Sequence, residues 1–455
     1  MTITYQPVPD HVPAAPTAPV LSADELRRLC LEAGADDVGF VSIDSPDLRE
    51  EADHARAARP TVRTLVSLVV RMNREPIRSP ARSVANLEFH HTGDAVNDAG
   101  RRIVRALEDR GHGALNPAMG FPMEMDRFPG RAWVVAHKTV AVAAGMGHMG
   151  IHRNVIHPRF GSFVLLGTLL LDAEVSAHGA PLDDSPCFTC RLCVTACPVG
   201  AIRPDGAFDF SACYTHNYRE FMGGFTDWVE QIADAGSAKG YRARVSDSES
   251  ASMWQSLSFG ANYKAAYCLA ACPAGSDVLG PYEQDRKGFV DRVVRPLLDK
   301  QETVYVAPGS DAEAHVRKRF PHKAVRRVAS GLRPTTVDGF LEFLPHLFQP
   351  GAAGELSARY HFTFTGVGTG AGAGTGDGAG TEASRREATV VLDAGRCVVL
   401  DGLQGEANVS VTADAHSWLR YLRKDGGLLG PLLRRKVRVS GSLRLLRAFE
   451  RCFPV

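Results

Sequence analysis

The chain has no charge bias. Its 455 residues carry 52 Lys and Arg against 51 Asp and Glu, a net charge of +1. That balance removes the global electrostatic case for a nucleic-acid partner, and none is expected from the sequence. No apolar run is long enough to span a bilayer, so no transmembrane segment is expected. The opening residues, Met1 to Pro7, lack a basic stretch followed by an apolar core, and no signal peptide is expected. Arg27 and Arg28 are not an export signal, because Leu26, Leu29 and Cys30 around them repeat at helical spacing. Cysteine is scarce outside one region. Seven of the ten cysteines lie between Cys187 and Cys272. Cys30, Cys397 and Cys452 stand alone in apolar settings and read as buried free thiols. That usage suits a reducing cytoplasm, which is the expected location.

The dense region opens with Cys187-Phe-Thr-Cys190-Arg-Leu-Cys193-Val-Thr-Ala-Cys197-Pro198. This is C-x2-C-x2-C-x3-C-P, the run that binds iron–sulfur cubanes in bacterial ferredoxins. A zinc site would need two cysteine pairs well apart and would not explain the trailing Cys-Pro. A second, incomplete run follows. Cys268-Leu-Ala-Ala-Cys272-Pro273 repeats the ending, Cys213 stands alone between the runs, and Ala265 occupies the place of a further cysteine. In two-cluster modules the last cysteine of each run ligates the other cluster. The first site then takes Cys187, Cys190, Cys193 and Cys272 as a [4Fe-4S] cluster. The second keeps Cys197, Cys213 and Cys268. Three thiolates admit a [3Fe-4S] cluster, a [4Fe-4S] cluster with a non-cysteine ligand, or no cluster.

The remaining chain divides by pattern. Residues 1–20 contain five prolines and read as a disordered arm. Residues 21–183 alternate helices and strands. Ser22 and Glu25 form a capping box, and Gly34 ends the helix that follows. Val38–Ile43, Thr64–Val70 and Ser162–Leu171 read as strands, Val96–Leu107 and Ala132–Ala144 as helices. That mixture predicts an α/β or α+β layer domain. Gly145, Gly147 and Gly150 match G-x-G-x-x-G, but a helix precedes them and a strand follows, the reverse of a dinucleotide fold. They read as a turn whose backbone approaches a cofactor closely. Residues 184–285 form the cluster module, with an aromatic-rich insertion expected to be mostly core. Residues 286–333 read as a helical connector with a solvated basic stretch from Arg317 to Arg327. Residues 334–455 read as a separate unit. It has a helix from Pro334, a half-buried strand with Tyr360, Phe362 and Phe364, and a Gly-rich loop at 366–381. A hairpin at Asp393–Gly395, a strand at Ala407–Val411, a Trp418 helix capped by Asp414, a strand at Lys436–Ser440 and a terminal helix complete it.

Two resemblances follow from these motifs. Gly34–Phe40, Ala141–Gly150 followed by Gly161–Thr168, the first cysteine run, Cys213, and Cys268 with Cys272-Pro273 resemble the family of epoxyqueuosine reductase and the corrinoid reductive dehalogenases. The resemblance implies a nitroreductase-like domain holding cobalamin above a two-cluster ferredoxin-like module, fed by an external ferredoxin or flavodoxin. The chain departs from that pattern at Ala265, and at Arg131, where the queuosine enzymes carry an acid. Asp126, with Glu124 nearby, and His137 and Lys138 are the candidates for the catalytic role. The last 120 residues or so resemble the sterol carrier protein 2 family, which implies a tunnel for an apolar small molecule or acyl ligand, with Arg444 and Arg447 at its mouth. The expected function is a cytoplasmic, corrinoid-dependent iron–sulfur reductase acting on a small apolar or carrier-bound substrate. The alternative is an electron-transfer protein without its own active site.

Overall fold

A computed structural model describes residues 20–120, 133–332, 334–367, 385–423 and 429–454. Asp126, Glu124 and Arg131, residues 1–19 of the expected arm, and residues 368–381 of the Gly-rich loop lie outside the described residues.

The first unit is built on an antiparallel sheet in the order Asp37–Ser42, Thr64–Arg71, Val164–Leu171 and Ala114–Leu115. Side chains alternate across a strand. Val66, Leu68, Leu169 and Leu171 therefore share one face, packed with Leu26, Cys30, Ile103 and Leu107 of two helices. Leu65 and Leu170 face the other way, against Val140 and Ala143. Cover on both faces is why these strands read as continuous apolar runs. The first helix, Ala23–Glu32, is capped as expected, with the Ser22 hydroxyl accepting from the Glu25 amide. The long helix, Arg82–Glu108, starts earlier than its periodicity suggested. The helix expected from Ala132 begins only at His137 and ends at Ala143. Before it, the amide of Ala136 donates to the Glu51 carboxylate.

Short helices carry the cysteine region, among them Leu192–Ala196 and Tyr267–Ala270, which pack on each other. The insertion is organised by charge as well as by aromatic contacts among Tyr214, Tyr218, Phe221 and Tyr263. Arg219, fully buried, donates to Asp227 at 2.6 Å and to Glu249 at 3.0 Å, tying helices Gly223–Ala233 and Asp247–Phe259 together. Trp254 and Phe259 are exposed, against the expectation that such rings were core. The connector is not purely helical. Thr303–Val306 and Ala324–Arg327 form a parallel ribbon. Nor is its basic stretch a solvated face throughout. Lys323 is buried against Glu302, Arg326 pairs with Glu249, and Arg317 and Arg327 both reach Glu313.

The last unit is a five-stranded sheet, ordered Arg396–Asp401, Arg386–Asp393, Ala358–Thr365, Val409–Asp414 and Val437–Gly441. Its one parallel pair joins Ala358–Thr365 to Val409–Asp414. The hairpin turns at Ala394 and Gly395, both at positive φ, as a two-residue type I′ turn requires. Asp414 caps helix Ala415–Leu422 through the Ser417 amide at 2.9 Å. Tyr360, Phe362 and Phe364 line one face. Phe362 meets Phe340, Phe364, Trp418 and Phe449, with ring centroids 5.6–5.9 Å apart. Rings thus occupy the space between sheet and helices where a tunnel was expected. Among the described residues no helix is long and apolar enough to cross a membrane.

Candidate cluster site

The fold brings the seven clustered cysteines together in two groups. Cys187, Cys190, Cys193 and Cys272 line one small cavity, with Ile151, His152 and Pro273. Cys272 arrives from the far end of the module and packs beside Cys187. Cys197, Cys213 and Cys268 gather with Cys193 in a neighbouring apolar cluster that includes Ile151 and Val199. The division matches the crossing pattern. Each group takes a cysteine from both runs, because the Leu192–Ala196 and Tyr267–Ala270 helices lie side by side. All are free thiols. Among the described residues, no three His, Cys, Asp or Glu side chains close around a point for a single metal ion. A cubane does not require that, since each thiolate binds its own iron.

Burial raises the pKa of Cys190, Cys193, Cys197, Cys213, Cys268 and Cys272. Cys272 is pushed up to about 11 and Cys268 to about 12, first by desolvation and then by neighbouring cysteines. Desolvation also raises Cys197, opposed by backbone amides of residues 199–202 aimed at its sulfur. The Ala201 amide donates to it at 3.3 Å. Such amides fit a thiolate ligand. Without metal the thiols stay protonated, so ligation must release their protons.

The loop that separates the groups is Gly150–Asn154. Asn154 holds three partners. Its side-chain oxygen accepts from Lys138 Nζ at 3.1 Å, its side-chain nitrogen lies 3.7 Å from Cys268 Sγ, and its backbone amide donates to His152 Nδ1 at 3.1 Å. Lys138 also donates to the Arg153 carbonyl at 2.8 Å, and Arg153 holds a left-handed φ of 60°. Protein surrounds Lys138 closely enough to lower its pKa by desolvation, opposed by Cys268 and Cys213. Its side chain is nevertheless exposed, beside the second cysteine group. His152 is buried, and desolvation followed by the charge of Lys138 lowers its pKa to about 4, leaving it neutral.

The other sequence candidates separate from this arrangement. His137 is adjacent to Lys138 in the chain but faces the sheet. Its Nδ1 meets Thr168 Oγ1 at 2.9 Å and its Nε2 the Ala118 carbonyl at 3.2 Å. Both nitrogens are engaged and burial lowers the pKa, so its role is structural. Gly145, Gly147 and Gly150 sit where the chain approaches itself. A Cβ at Gly145 would lie 2.6 Å from the Ala180 carbonyl oxygen, and one at Gly147 2.6 Å from that of Ile156. At these two positions the glycines admit the protein's own backbone. Ala265 packs with Met72, Ile77 and Tyr267, just before Cys268. Sequence reasoning missed His152 and Asn154. The only signal was their place just after the glycine turn.

No protein-family model matches the chain. Among curated relatives, an epoxyqueuosine reductase of Cellulophaga algicola is 32% identical over 118 residues, which is 23% of this chain and 38% of that protein. The chain spans roughly a third of the length of the curated relatives it matches first. A solved structure of epoxyqueuosine reductase with an epoxyqueuosine-modified tRNA stem loop aligns with 43% of this chain and 60% of its own, at 16% identity and a TM-score of 0.31. A B12-dependent reductive dehalogenase aligns with 61% of this chain and 36% of its own, at 14% identity and a TM-score of 0.37. The N-terminal part of the chain is thus similar to epoxyqueuosine reductases, and nothing found supports a sterol-carrier relationship for the C-terminal unit. The exclusion of nucleic acid does not hold, because an epoxyqueuosine reductase is seen with a tRNA stem loop. Net charge sums the whole surface and is silent about local patches, so it does not exclude such a partner. The name of the curated relatives likewise points to a modified nucleoside rather than to the expected apolar substrate.

Proposed function

We propose that the chain is an iron–sulfur reductase related to epoxyqueuosine reductase. The observation that carries this reading is the pairing of cysteines across the two runs, Cys272 with Cys187, Cys190 and Cys193, and Cys268 with Cys197 and Cys213. The first group fits a [4Fe-4S] cluster and the second a three-thiolate cluster. When bound, the clusters carry single electrons inward from an external donor. The chain supplies the thiolates and the amides over Cys197. Lys138, fixed by Asn154 and Arg153, places an exposed donor beside the second group. The unit of residues 21–183 and the module of 184–285 share this work. Residues 334–455 act as a packed scaffold.

Cobalamin rests on the resemblance alone, and no step is routed through it. The filled space at Gly145 and Gly147 favours the second reading, an electron-transfer protein without its own corrin site. Purified protein reconstituted with iron and sulfide, then mixed with cobalamin, separates the two. Retained corrinoid absorption supports the reductase, and RNA bearing epoxyqueuosine is then the first substrate to assay. Iron–sulfur absorption alone supports the electron carrier. Protein that takes up neither iron nor sulfide sinks both.

A further inference from the structure

We propose that His152 tunes the first cysteine group, donating a hydrogen bond from Nε2 to a sulfur held there. The proposal rests on the reading of Cys187, Cys190, Cys193 and Cys272 as cluster ligands.

The tautomer follows from one contact. Nδ1 of His152 accepts from the Asn154 backbone amide at 3.1 Å, so its lone pair faces that N–H. A neutral imidazole carries one proton, which must then sit on Nε2. This nitrogen is buried and finds no partner among the described residues. The residue is 3% exposed, so bulk solvent does not reach it. The ring lines the cavity of the four cysteines.

The position is also built. A Cβ at Gly150 would stand 2.9 Å from Cε1 and 3.2 Å from Nε2 of His152, so only glycine leaves the ring its place. An orphaned buried donor is unfavourable, and an acceptor in the cavity removes that penalty. Sulfur of a cluster or its thiolates is such an acceptor. The same proton rules out ligation, since iron needs the lone pair that Nε2 has committed. His152 is therefore a positioning residue for charge. A donor to sulfur favours the more negative, reduced state and raises the reduction potential.

The test is a potentiometric titration of the full-length reconstituted protein, followed by electron paramagnetic resonance. The first cluster is identified as the signal lost in Cys190→Ser. His152→Leu removes the donor, and His152→Gln returns an N–H at similar reach. At the wild-type midpoint, the reduced-to-oxidised ratio should fall about tenfold in His152→Leu, which is about 59 mV for a one-electron couple. His152→Gln should recover most of it. An unmoved midpoint in His152→Leu with its iron intact overturns the proposal. Loss of that cluster from both variants also overturns it, by making the imidazole a ligand or a packing requirement. Wild-type protein without iron would bring down the cluster reading itself, a result distinguishable from an iron-loaded protein whose potential does not move.

Discussion

The guanidinium of Arg82 reaches the carbonyl oxygen of Ala265 at 2.8 Å, joining the start of the long helix to the loop before Cys268. The same side chain donates to the Ile77 carbonyl at 3.0 Å and the Ser79 carbonyl at 2.9 Å, and lies over the Tyr267 ring. From the other side, Asn217 Oδ1 accepts from the Ala265 amide at 2.9 Å. The first unit and the cysteine module are clamped at the position where the incomplete run lacks its cysteine.

Arg82→Met should therefore destabilise the protein by about 2–4 kcal/mol, since it strands buried carbonyls that water cannot reach. Hydrogen exchange of the Tyr267–Ala270 amides checks this. Protection equal to wild type would show that the clamp does not hold that helix.

Cys190→Ser should remove about half or more of the iron of the reconstituted protein, because one of two clusters loses a thiolate. Iron assayed on folded protein decides it. Unchanged content would mean that Cys190 is not a ligand.

With three thiolates, the second group should give a three-iron signal in the oxidised protein by electron paramagnetic resonance. Ala265→Cys should convert it to a four-iron cluster, as the backbone there is already held by Arg82 and Asn217. Two ordinary four-iron clusters in the native protein would point to another ligand near Cys268.

Glu220 is fully buried, and Lys264, Ser256 and Asn262 donate to its carboxylate. Burial alone would raise its pKa, but the charge of Lys264 and these hydrogen bonds hold it below the ordinary 4.5. A depressed folded-state pKa stabilises the fold above the unfolded value, and that share is lost as pH falls through the folded one. Stability should drop as pH falls from about 4.5. Glu220→Gln should be less stable at neutral pH and flatter on the acid side. Parallel denaturation curves for both proteins between neutral pH and pH 3 would refute this.

Phe362→Ala should destabilise the C-terminal sheet by about 3–5 kcal/mol, since the lost ring meets four others. Exchange of the Ala358–Thr365 amides should accelerate while the cysteine module is unaffected. A small effect with uptake of a fluorescent acyl probe would reveal space that the packed rings do not show.

What could be read from the sequence was whatever a short stretch states by itself. Ser22 with Glu25 announces a cap, Ala394-Gly395 a tight turn, and alternating Tyr360, Phe362 and Phe364 a strand face, because each depends on neighbours a few residues away. The cysteine spacing is equally local, and the crossing of its ends reflects two similar helices side by side. What needed the tertiary structure was direction and company. His137 and Lys138 are adjacent in sequence, yet successive positions on a helix point about 100° apart, so one enters the sheet and the other reaches Arg153 and Asn154. The glycines of residues 145–150 looked like room for a cofactor, and only the fold shows Ala180 and Ile156 already filling it. His152 carried no motif. Its significance arises where an amide from Asn154 commits one ring nitrogen and leaves the other without a partner among the described residues, on a ring that lines the cavity of four cysteines, a relation set by packing and written in no single stretch of chain.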